Sequence, residues 1–313
     1  MYTQFSLRPI ALALCSATLL AACGGGGSTG ESPAQTTGLS NDQVIAYSAN
    51  ASYVPADTTE AAAATLTATK AVVASGQAGQ TINCGGGGTA VYTVTGGSLA
   101  SVTNGVLDAG ETYSLVFTDC KGAPGLGAIN GSLGAAVETS SASGVKVNMT
   151  NNGVTVALPR RQVRLSGAST IEQSVATSAA GTVTTNRFTA GNISAETTFG
   201  ARKSTFSLSN VDMVRAITVN NNVVTATSYN GTATLSATLP NGAFSLTTAT
   251  QGAATFSADG TPQQGTWVTT LPNYKLTLKI ASGSATIEVD QGADGTVDRT
   301  VTITTGNLES SAG

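Results

Sequence analysis

The sequence predicts an all-β protein: a large antiparallel meander, curled or barrel-like, with one short N-terminal helix after a flexible tether. Three observations predict it. Polar and apolar residues alternate over most of the chain, Asn-Gly and Asp-Gly pairs recur along it, and the alternating runs are numerous. Roughly ten to fourteen strands are expected, too many for an open twisted sheet that neither curls, splits nor closes. The sequence does not distinguish a closed barrel from an open curled sheet.

The alternation is clearest in four segments. In each of them apolar residues occupy every second position, and the positions between hold Thr, Ser, Lys, Asn or Glu, with Val116 as the exception. This pattern is typical of strands that have one face on a core and one face in water. The segments are Tyr113 to Phe117, Val145 to Met149, Tyr274 to Ile280 and Ala285 to Val289.

Asparagine or aspartate followed by glycine is a frequent hairpin signature, because these residues tolerate positive φ. Such pairs predict that consecutive strands are joined by tight turns and pair antiparallel with their sequence neighbours. The pairs are Asn104-Gly105, Asn130-Gly131, Asn152-Gly153, Asn230-Gly231, Asn241-Gly242, Asp259-Gly260 and Asp294-Gly295.

One segment has the pattern of a helix. Residues 57–60, DTTE, form a capping box, in which Asp57 would accept from first-turn amides and Glu60 would reach back. An alanine-rich run follows and Gly76 would end it, so the helix is expected over about 57–75. One modest apolar stripe would pack on the β body, formed by Ala62, Leu66, Thr69 and Val73.

The first 22 residues have the features of a secretory signal peptide: a basic start and an apolar run too short to span a bilayer. The segment Leu20-Ala21-Ala22-Cys23 then resembles the lipobox of bacterial lipoproteins, whose cysteine is diacylated and becomes the mature N-terminus. The resemblance implies lipidation of Cys23, and Gly24 implies sorting to the outer membrane of a diderm bacterium. The alternative is an ordinary signal peptide cleaved near Ala22.

Three regions are therefore expected: a signal peptide over 1–22, lipidated Cys23 with a flexible tether over 23–45, and a single β-rich domain over 46–313. The tether assignment depends on Gly, Ser, Thr, Pro and Gln residues with almost no apolar content between them. The expected membrane attachment is through the lipid, because several acyl chains on one cysteine hold a protein stably at a bilayer. The sequence does not indicate whether the body faces the periplasm or the cell surface.

The four cysteines have separable roles. Cys15 lies in the apolar run of the signal peptide, and Cys23 is the lipidation site. This leaves Cys84 and Cys120 in an exported protein, where oxidation is permitted, so we expect them to form a disulfide. Their spacing does not fit a CxxC redox or metal motif.

The composition excludes several kinds of chemistry. The chain has no histidine, only 10% charged residues and a net charge of −3. Without imidazole there is no Ser-His-Asp or Cys-His machinery and no His-ligated zinc. The weak negative charge argues against nucleic acid as a partner. A non-enzymatic role is therefore favoured, although the sequence leaves the question of an enzyme open.

Two stretches resemble uncharacterised proteobacterial outer-membrane lipoproteins. One runs from Cys84-Gly85-Gly86-Gly87-Gly88 through Asp108-Ala109-Gly110-Glu111 to Asp119-Cys120. The other begins at Gly260-Thr261-Pro262 and Gly265 and continues through Tyr274 to Ile280, Ile287 to Asp290, and Asp294 to Asp298. The resemblance covers under half of the chain. It implies a lipidated, exported β protein and supplies no catalytic residues.

A calcium loop is one candidate site. Asp290, Asp294, Gly295 and Asp298 match positions one, five, six and nine of an EF-hand-like loop. Gly292 stands where a third oxygen ligand is expected, and Val301 stands in place of the bidentate glutamate. The favoured interpretation is a plain hairpin loop whose aspartates accept local backbone hydrogen bonds, with weak Ca²⁺ binding as the alternative and no other cofactor expected.

Basic residues suggest a second candidate site. Arg160, Arg161 and Arg164 concentrate positive charge in a sparsely charged chain, and Arg160 and Arg164 are expected to share one strand face. They could bind anionic glycans or lipopolysaccharide phosphates. The favoured interpretation is a solvated face.

Three functions from different classes remain. The first is a lipid-anchored envelope protein with a scaffolding, binding or adhesion role, whose partners could be an envelope glycan or lipid. The second is a carrier of an apolar ligand inside a curled sheet or barrel. The third is a glycan hydrolase that uses paired carboxylates such as Glu138, Glu172 or Glu196. A wide accessible cavity would favour the carrier, and a filled interior would favour the scaffold.

Overall fold

The computed structural model describes residues 38–313, except positions 76, 123–126, 180, 240–241 and 258. The predicted signal peptide, the predicted lipidation site Cys23 and the first part of the predicted tether lie outside the described residues. The elements, in chain order, are α1 (Asn41–Ser75), β1 (Thr81–Asn83), β2 (Thr89–Thr95), β3 (Thr112–Lys121), β4 (Ala128–Ser141), β5 (Gly144–Ala157), β6 (Gln162–Ser178), β7 (Gly181–Phe199), β8 (Arg202–Asn220), β9 (Val223–Leu239), β10 (Gly242–Thr250), β11 (Ala254–Phe256), β12 (Pro262–Leu271), β13 (Tyr274–Ala281), β14 (Ser284–Gln291), β15 (Arg299–Thr304) and α2 (Thr305–Ser310).

All fifteen strands belong to one sheet, and every pairing in it is antiparallel. Strands pair with their sequence neighbours from β1 to β15. The short strand β11 is the exception, because it pairs with both β9 and β12. The predicted fold class, a large antiparallel meander with an N-terminal helix, is confirmed. In the part of the chain that the structure describes, no pairing joins β1 to β15.

The helix α1 begins at Asn41, so the predicted start at Asp57 is wrong, as is the extension of the tether to residue 45. A capping box does start the helix, but it is formed by Ser40 and Gln43. The Ser40 backbone N–H donates to Gln43 Oε1 at 3.0 Å, and the Gln43 N–H donates to Ser40 Oγ at 3.2 Å. Asp57 lies within the helix, and its carboxylate pairs with Arg161 instead of capping a helix end. Neither described helix is long and apolar enough to cross a membrane.

The predicted single apolar stripe on α1 is also wrong, because α1 is buried on nearly all sides. Its surface is rich in Ala, Thr and Ser, and it contacts strands from β3 to β14, so the sheet curls around it. Six buried polar side chains on α1 hydrogen-bond to carbonyl oxygens one turn earlier, which lets polar residues be buried among apolar ones. They are Asn50, Ser52, Thr58, Thr59, Thr65 and Thr69.

Three of the predicted hairpin turns lie inside strands. Gly131, Gly153 and Gly231 have φ of 104°, 73° and 146°, within β4, β5 and β9. At Gly131 and Gly153 the pairing register shifts, as expected for β-bulges. A bulge bends a strand and increases its twist, so these glycines help a long strand to curve around α1 instead of ending it. The strands are therefore longer than the sequence suggested.

Real two-residue turns lie elsewhere. Asn221 and Asn222, between β8 and β9, have φ of 50° and 62°, and Ser282 and Gly283, between β13 and β14, have φ of 51° and 80°. These values fit the type I′ turns that match strand twist. The β13–β14 hairpin has the predicted alternation, with every second side chain on β13 buried.

The predicted disulfide between Cys84 and Cys120 is present, with a Cα–Cα distance of 5.4 Å. It connects the segment after β1 to the end of β3. The cross-link closes a loop of 36 residues, for which the chain-entropy estimate is about 4 kcal/mol of stabilisation.

The last residues fold back onto α1. Leu308 and Ala312 are buried, and the Gly313 N–H donates to Asn50 Oδ1 at 2.8 Å. Arg202 Nη2 donates to the Ser310 carbonyl. The helix α2 is therefore held against both α1 and the sheet.

Candidate functional site

A cavity of about 540 Å³ lies between α1 and the sheet. Its volume falls within the range of small-molecule sites, roughly 300–1,000 Å³. One face of α1 forms one wall. Strands β6–β9, the β5–β6 turn, the segment after β11 and Glu309 of α2 complete the lining.

The helix wall follows from the period of an α-helix. Tyr53, Asp57, Glu60, Ala64 and Thr67 are spaced four, three, four and three residues apart, so they share one face of α1. The face is continuous for about 21 Å at 1.5 Å per residue. All five side chains line the cavity.

The sheet wall is ordered in rows across the strands, because paired residues point to the same side. The inner row is polar, and it consists of Gln173, Asn186, Arg215 and Tyr229. The outer row is more apolar and lies two to five residues further along the strands, with a register shift before Val219. It consists of Thr184, Ile217, Val219, Val224 and Thr227. The cavity therefore changes from polar to apolar over about 13 Å of strand.

Glu60 connects α1 to the inner row. Arg215 Nη2 donates to Glu60 Oε1 at 2.6 Å, and the Tyr229 hydroxyl donates to Glu60 Oε2 at 2.6 Å. Burial, together with the negative charge of Glu60, raises the pKa of Tyr229. At the other end of the row, Lys70 Nζ donates to Gln173 Oε1 at 2.8 Å. The inner row is thus fixed by charge-assisted hydrogen bonds.

Arg161 forms a second polar centre in the cavity. It is only 5% exposed, and its Nε lies 3.3 Å from Asp57 Oδ2. Its guanidinium lies over the Tyr53 ring at 4.3 Å, and Nη2 donates to the Glu309 carbonyl at 3.4 Å. Arginine suits such a place because its planar group can pair and stack at once.

This second centre has open hydrogen-bonding atoms. The Tyr53 hydroxyl and Arg161 Nη1 are buried and have no hydrogen-bond partner, and Asp57 Oδ2 is buried with the Arg161 ion pair as its contact and no hydrogen bond. A buried polar atom left in this state costs about 1–3 kcal/mol. Native proteins contain few such atoms, and here these three and Arg215 Nε of the first centre belong to residues that line one cavity.

Burial raises the pKa of the Asp57 carboxyl from 3.8 to about 6, although the Arg161 charge acts in the opposite direction. Burial also raises the pKa of Tyr53. Nearer the surface, a hydrogen bond from Ser257 helps to lower the pKa of Asp259 to about 2. Perturbed ionisable groups in a cleft are a feature of functional sites.

Comparisons with protein-family models, curated proteins and solved structures give no match. The cavity and its side chains therefore carry the functional inference.

The structure places the predicted calcium residues in a loop whose aspartates accept hydrogen bonds from the backbone of the same loop. Asp290 accepts from the backbone N–H groups of Asp294 and Gly295 at 3.0 and 2.9 Å. Asp298 accepts from the Gln291 N–H at 2.6 Å. Among the described residues, no three Cys, Asp or Glu side chains come together as a metal site. Weak Ca²⁺ binding stays a prediction.

The structure does not bring Arg160, Arg161 and Arg164 together as one basic patch. Arg160 pairs with Asp259 at 2.9 Å and with Glu309, and Arg161 points into the cavity. Arg164 is exposed on β6, where it lies opposite Glu196 on β7. The expectation that Arg160 and Arg164 share a strand face is wrong, because Arg160 lies in the turn before β6.

The carboxylates considered for glycan hydrolysis lie outside the cavity. Glu138 pairs with Lys146 at 2.7 Å, and Glu196 pairs with Lys203 at 2.9 Å. Glu172 is exposed on β6, opposite Arg187. The structure does not bring these three carboxylates together.

Of the residues that line the cavity, sequence reasoning proposed Arg160 and Arg161 as site residues and missed the others. Asp57 and Glu60 appeared as a capping box, and Tyr53 and Tyr229 were not proposed as site residues. The available signal was the spacing of Tyr53, Asp57 and Glu60 on one helical face. It becomes informative only when the helix is known to begin at Asn41.

Proposed function

We propose that this protein is a lipid-anchored cell-envelope protein that binds a small molecule in the cavity between α1 and β6–β9. The anchor is Cys23, and the membrane is the outer membrane of a diderm bacterium. The β body acts as a binding module without catalytic chemistry of its own. The proposal combines the scaffold and carrier functions considered from the sequence.

The observation that carries the binding function is the cavity itself. Most of the curled sheet is filled by α1, which favours a rigid framework. Beside α1, however, about 540 Å³ remains, lined by a polar row, an apolar row and unsatisfied buried atoms. A binding site is largely pre-formed, concave and mixed in polarity, and this cavity has those properties.

The proposed membrane attachment is supported by the sequence, and the proposed export is supported by the disulfide. Residues 20–23 have the lipobox pattern after an apolar run, and the disulfide between Cys84 and Cys120 fits an oxidising compartment. The absence of histidine and the low charge support a binding role over acid–base catalysis.

The cavity is tested with native mass spectrometry of protein purified from its own membrane. We expect a bound small molecule that is released on unfolding. Thr67→Trp projects a large side chain from α1 into the cavity and should abolish its retention. Thr218→Trp, on the opposite face of β8, is the matched control. Retention of the molecule by the Thr67→Trp protein would contradict the proposal.

The anchor is tested separately. Mass spectrometry of the N-terminal peptide should find a diacylglyceryl group on Cys23, and Cys23→Ser should release the protein from the membrane fraction. An unlipidated, freely soluble wild-type protein would contradict the anchoring proposal.

A further inference from the structure

The described lining of the cavity has three arginines and four carboxylates, and each carboxylate contacts an arginine. Arg215 pairs with Glu60, Arg161 pairs with Asp57, and Arg160 pairs with Asp259 and Glu309. The excess negative charge lies beside Arg160, whose partner Asp259 is half-exposed, whereas the two inner pairs are balanced. A charged ligand group placed between the inner pairs would lack a counter-charge. It would also have to give up its own hydration on entering. The electrostatics therefore favour an uncharged ligand.

The buried atoms without a hydrogen bond include both donors and acceptors. Arg161 Nη1 can only donate, Asp57 Oδ2 accepts as a carboxylate oxygen, and the Tyr53 hydroxyl can do either. Tyr53 and Arg161 are 1% and 5% exposed, so bulk water does not satisfy them. The group that satisfies such a set is one that donates and accepts at the same time. A hydroxyl is the simplest such group, and two neighbouring hydroxyls would serve all three atoms.

The other part of the cavity is apolar and open. Ile217, Val219 and Val224 line it from β8 and β9, and Ala63 and Ala64 line it from α1. Val224 is 45% exposed, which is unusual for a valine that faces the concave side of a curled sheet. Covering these side chains with an alkyl chain would remove apolar surface from water.

On these grounds we infer that the cavity takes an uncharged amphiphile with a hydroxyl-bearing head. The head contacts Tyr53, Arg161 and Asp57, and the alkyl chain lies along Ile217, Val219 and Val224. Glycolipids and monoacylglycerols share this chemistry. The inference rests on the proposed binding function and names the class of its ligand.

The test compares probes that share a ten-carbon chain: decyl glucoside, 1-monodecanoylglycerol, decanoate and decyltrimethylammonium, each below its micelle concentration. Titration calorimetry on the delipidated full chain should show at least tenfold tighter binding of the two uncharged probes. A preference for decyl glucoside would identify a sugar head, and a preference for the glycerol ester would identify a glyceride head. Both results support the inference.

Tyr53→Phe removes one open hydroxyl and should weaken binding of the preferred uncharged probe about five- to tenfold. It should leave the affinity for decanoate unchanged. The control is Tyr47→Phe, on the same helix but packed against Phe244 outside the cavity lining. If Tyr53→Phe does not fold, Val219→Thr tests the chain end and should weaken every probe equally.

Tighter binding of decanoate or decyltrimethylammonium would overturn the inference, because the head would then be charged. Equal binding of all four probes would also overturn it, although Thr67→Trp would still block them and the binding function would stand. If no probe binds, and membrane-purified protein also carries no small molecule, the proposed function itself fails.

Discussion

The two sides of α1 have opposite surroundings. On one side, Val44, Val54 and Leu66 are fully buried in apolar contacts with the sheet. On the other side, Asp57 and Glu60 face a cavity, and their charges are paired across it with arginines of the β5–β6 turn and β8. The same helix thus has a dry, packed side and a polar, incompletely filled side.

The packed side of α1 contributes to stability, whereas the polar side is not explained by stability. Packed apolar side chains contribute roughly 1.5–3 kcal/mol each when buried. Buried ion pairs are weak evidence for stability, since replacing them with apolar residues is often neutral or stabilising. A protein selected only to fold would have no need for the polar side. We therefore interpret that side as the functional one.

Arg161→Met should have the largest effect, because it leaves Asp57 buried without its counter-charge. We expect the free energy of unfolding at pH 8 to fall by about 3–5 kcal/mol, measured by urea denaturation. The double variant Asp57→Leu/Arg161→Met removes both charges and should recover most or all of that loss. A double variant as unstable as the single one would show that the ion pair itself supports the fold.

Leu66→Ala tests the packed side. It removes a fully buried side chain and should lower the free energy of unfolding by about 2–5 kcal/mol. Thr67→Ala, one residue further and facing the cavity, should change it by less than about 0.5 kcal/mol. Chemical denaturation measures both, and similar losses would remove the distinction between the two sides.

The pH dependence of stability isolates Asp57. Its pKa is about 6 in the folded protein and 3.8 ordinarily, so the folded state holds the proton more tightly. The contribution of Asp57 to the free energy of unfolding is fully present below pH 4 and is lost as the pH rises through 6. The loss amounts to about 3 kcal/mol.

Asp57→Asn removes this titration, so the difference between wild type and variant should change between pH 4 and pH 7. Urea denaturation at several pH values measures it. Parallel pH profiles for the two proteins would show that Asp57 titrates at its ordinary pKa.

Tyr229→Phe should have the smallest effect. It removes the hydroxyl that donates to Glu60, while Arg215 keeps the carboxylate paired. The expected loss is about 2 kcal/mol by thermal or chemical denaturation. Tyr47→Phe, on the packed side, should lose less than about 0.5 kcal/mol. Equal losses would mean that the Tyr229 hydroxyl contributes nothing particular.

Local patterns in the sequence were enough to predict the antiparallel sheet and the disulfide. The alternation in Tyr274 to Ile280 and the elimination that left Cys84 and Cys120 both depend on nearby residues or on composition. Asn-Gly pairs gave wrong predictions of turn positions, because a residue with positive φ occurs in β-bulges as well as in turns. Only the pairing with the neighbouring strand distinguishes a bulge from a turn.

The candidate site could not be predicted in the same way. Asp57 and Glu60 fit a capping box locally, but in the fold their partners are Arg161, Arg215 and Tyr229, more than 100 residues further along the chain. A helix enclosed by a sheet also lacks the one-sided pattern that marks a surface helix. Long-range pairing therefore decided the site.

The position of α1 at the start of the described chain has a consequence for folding kinetics. The helix is synthesised before every strand, yet its partners extend to β14, more than 200 residues later. Contacts of such sequence separation form slowly, because a long loop must close before they contribute. Until β14 exists, the apolar side of α1 cannot be fully covered, and the incomplete chain is exposed to aggregation. Folding of this protein can therefore be complete only after its C-terminal strands have paired and covered α1.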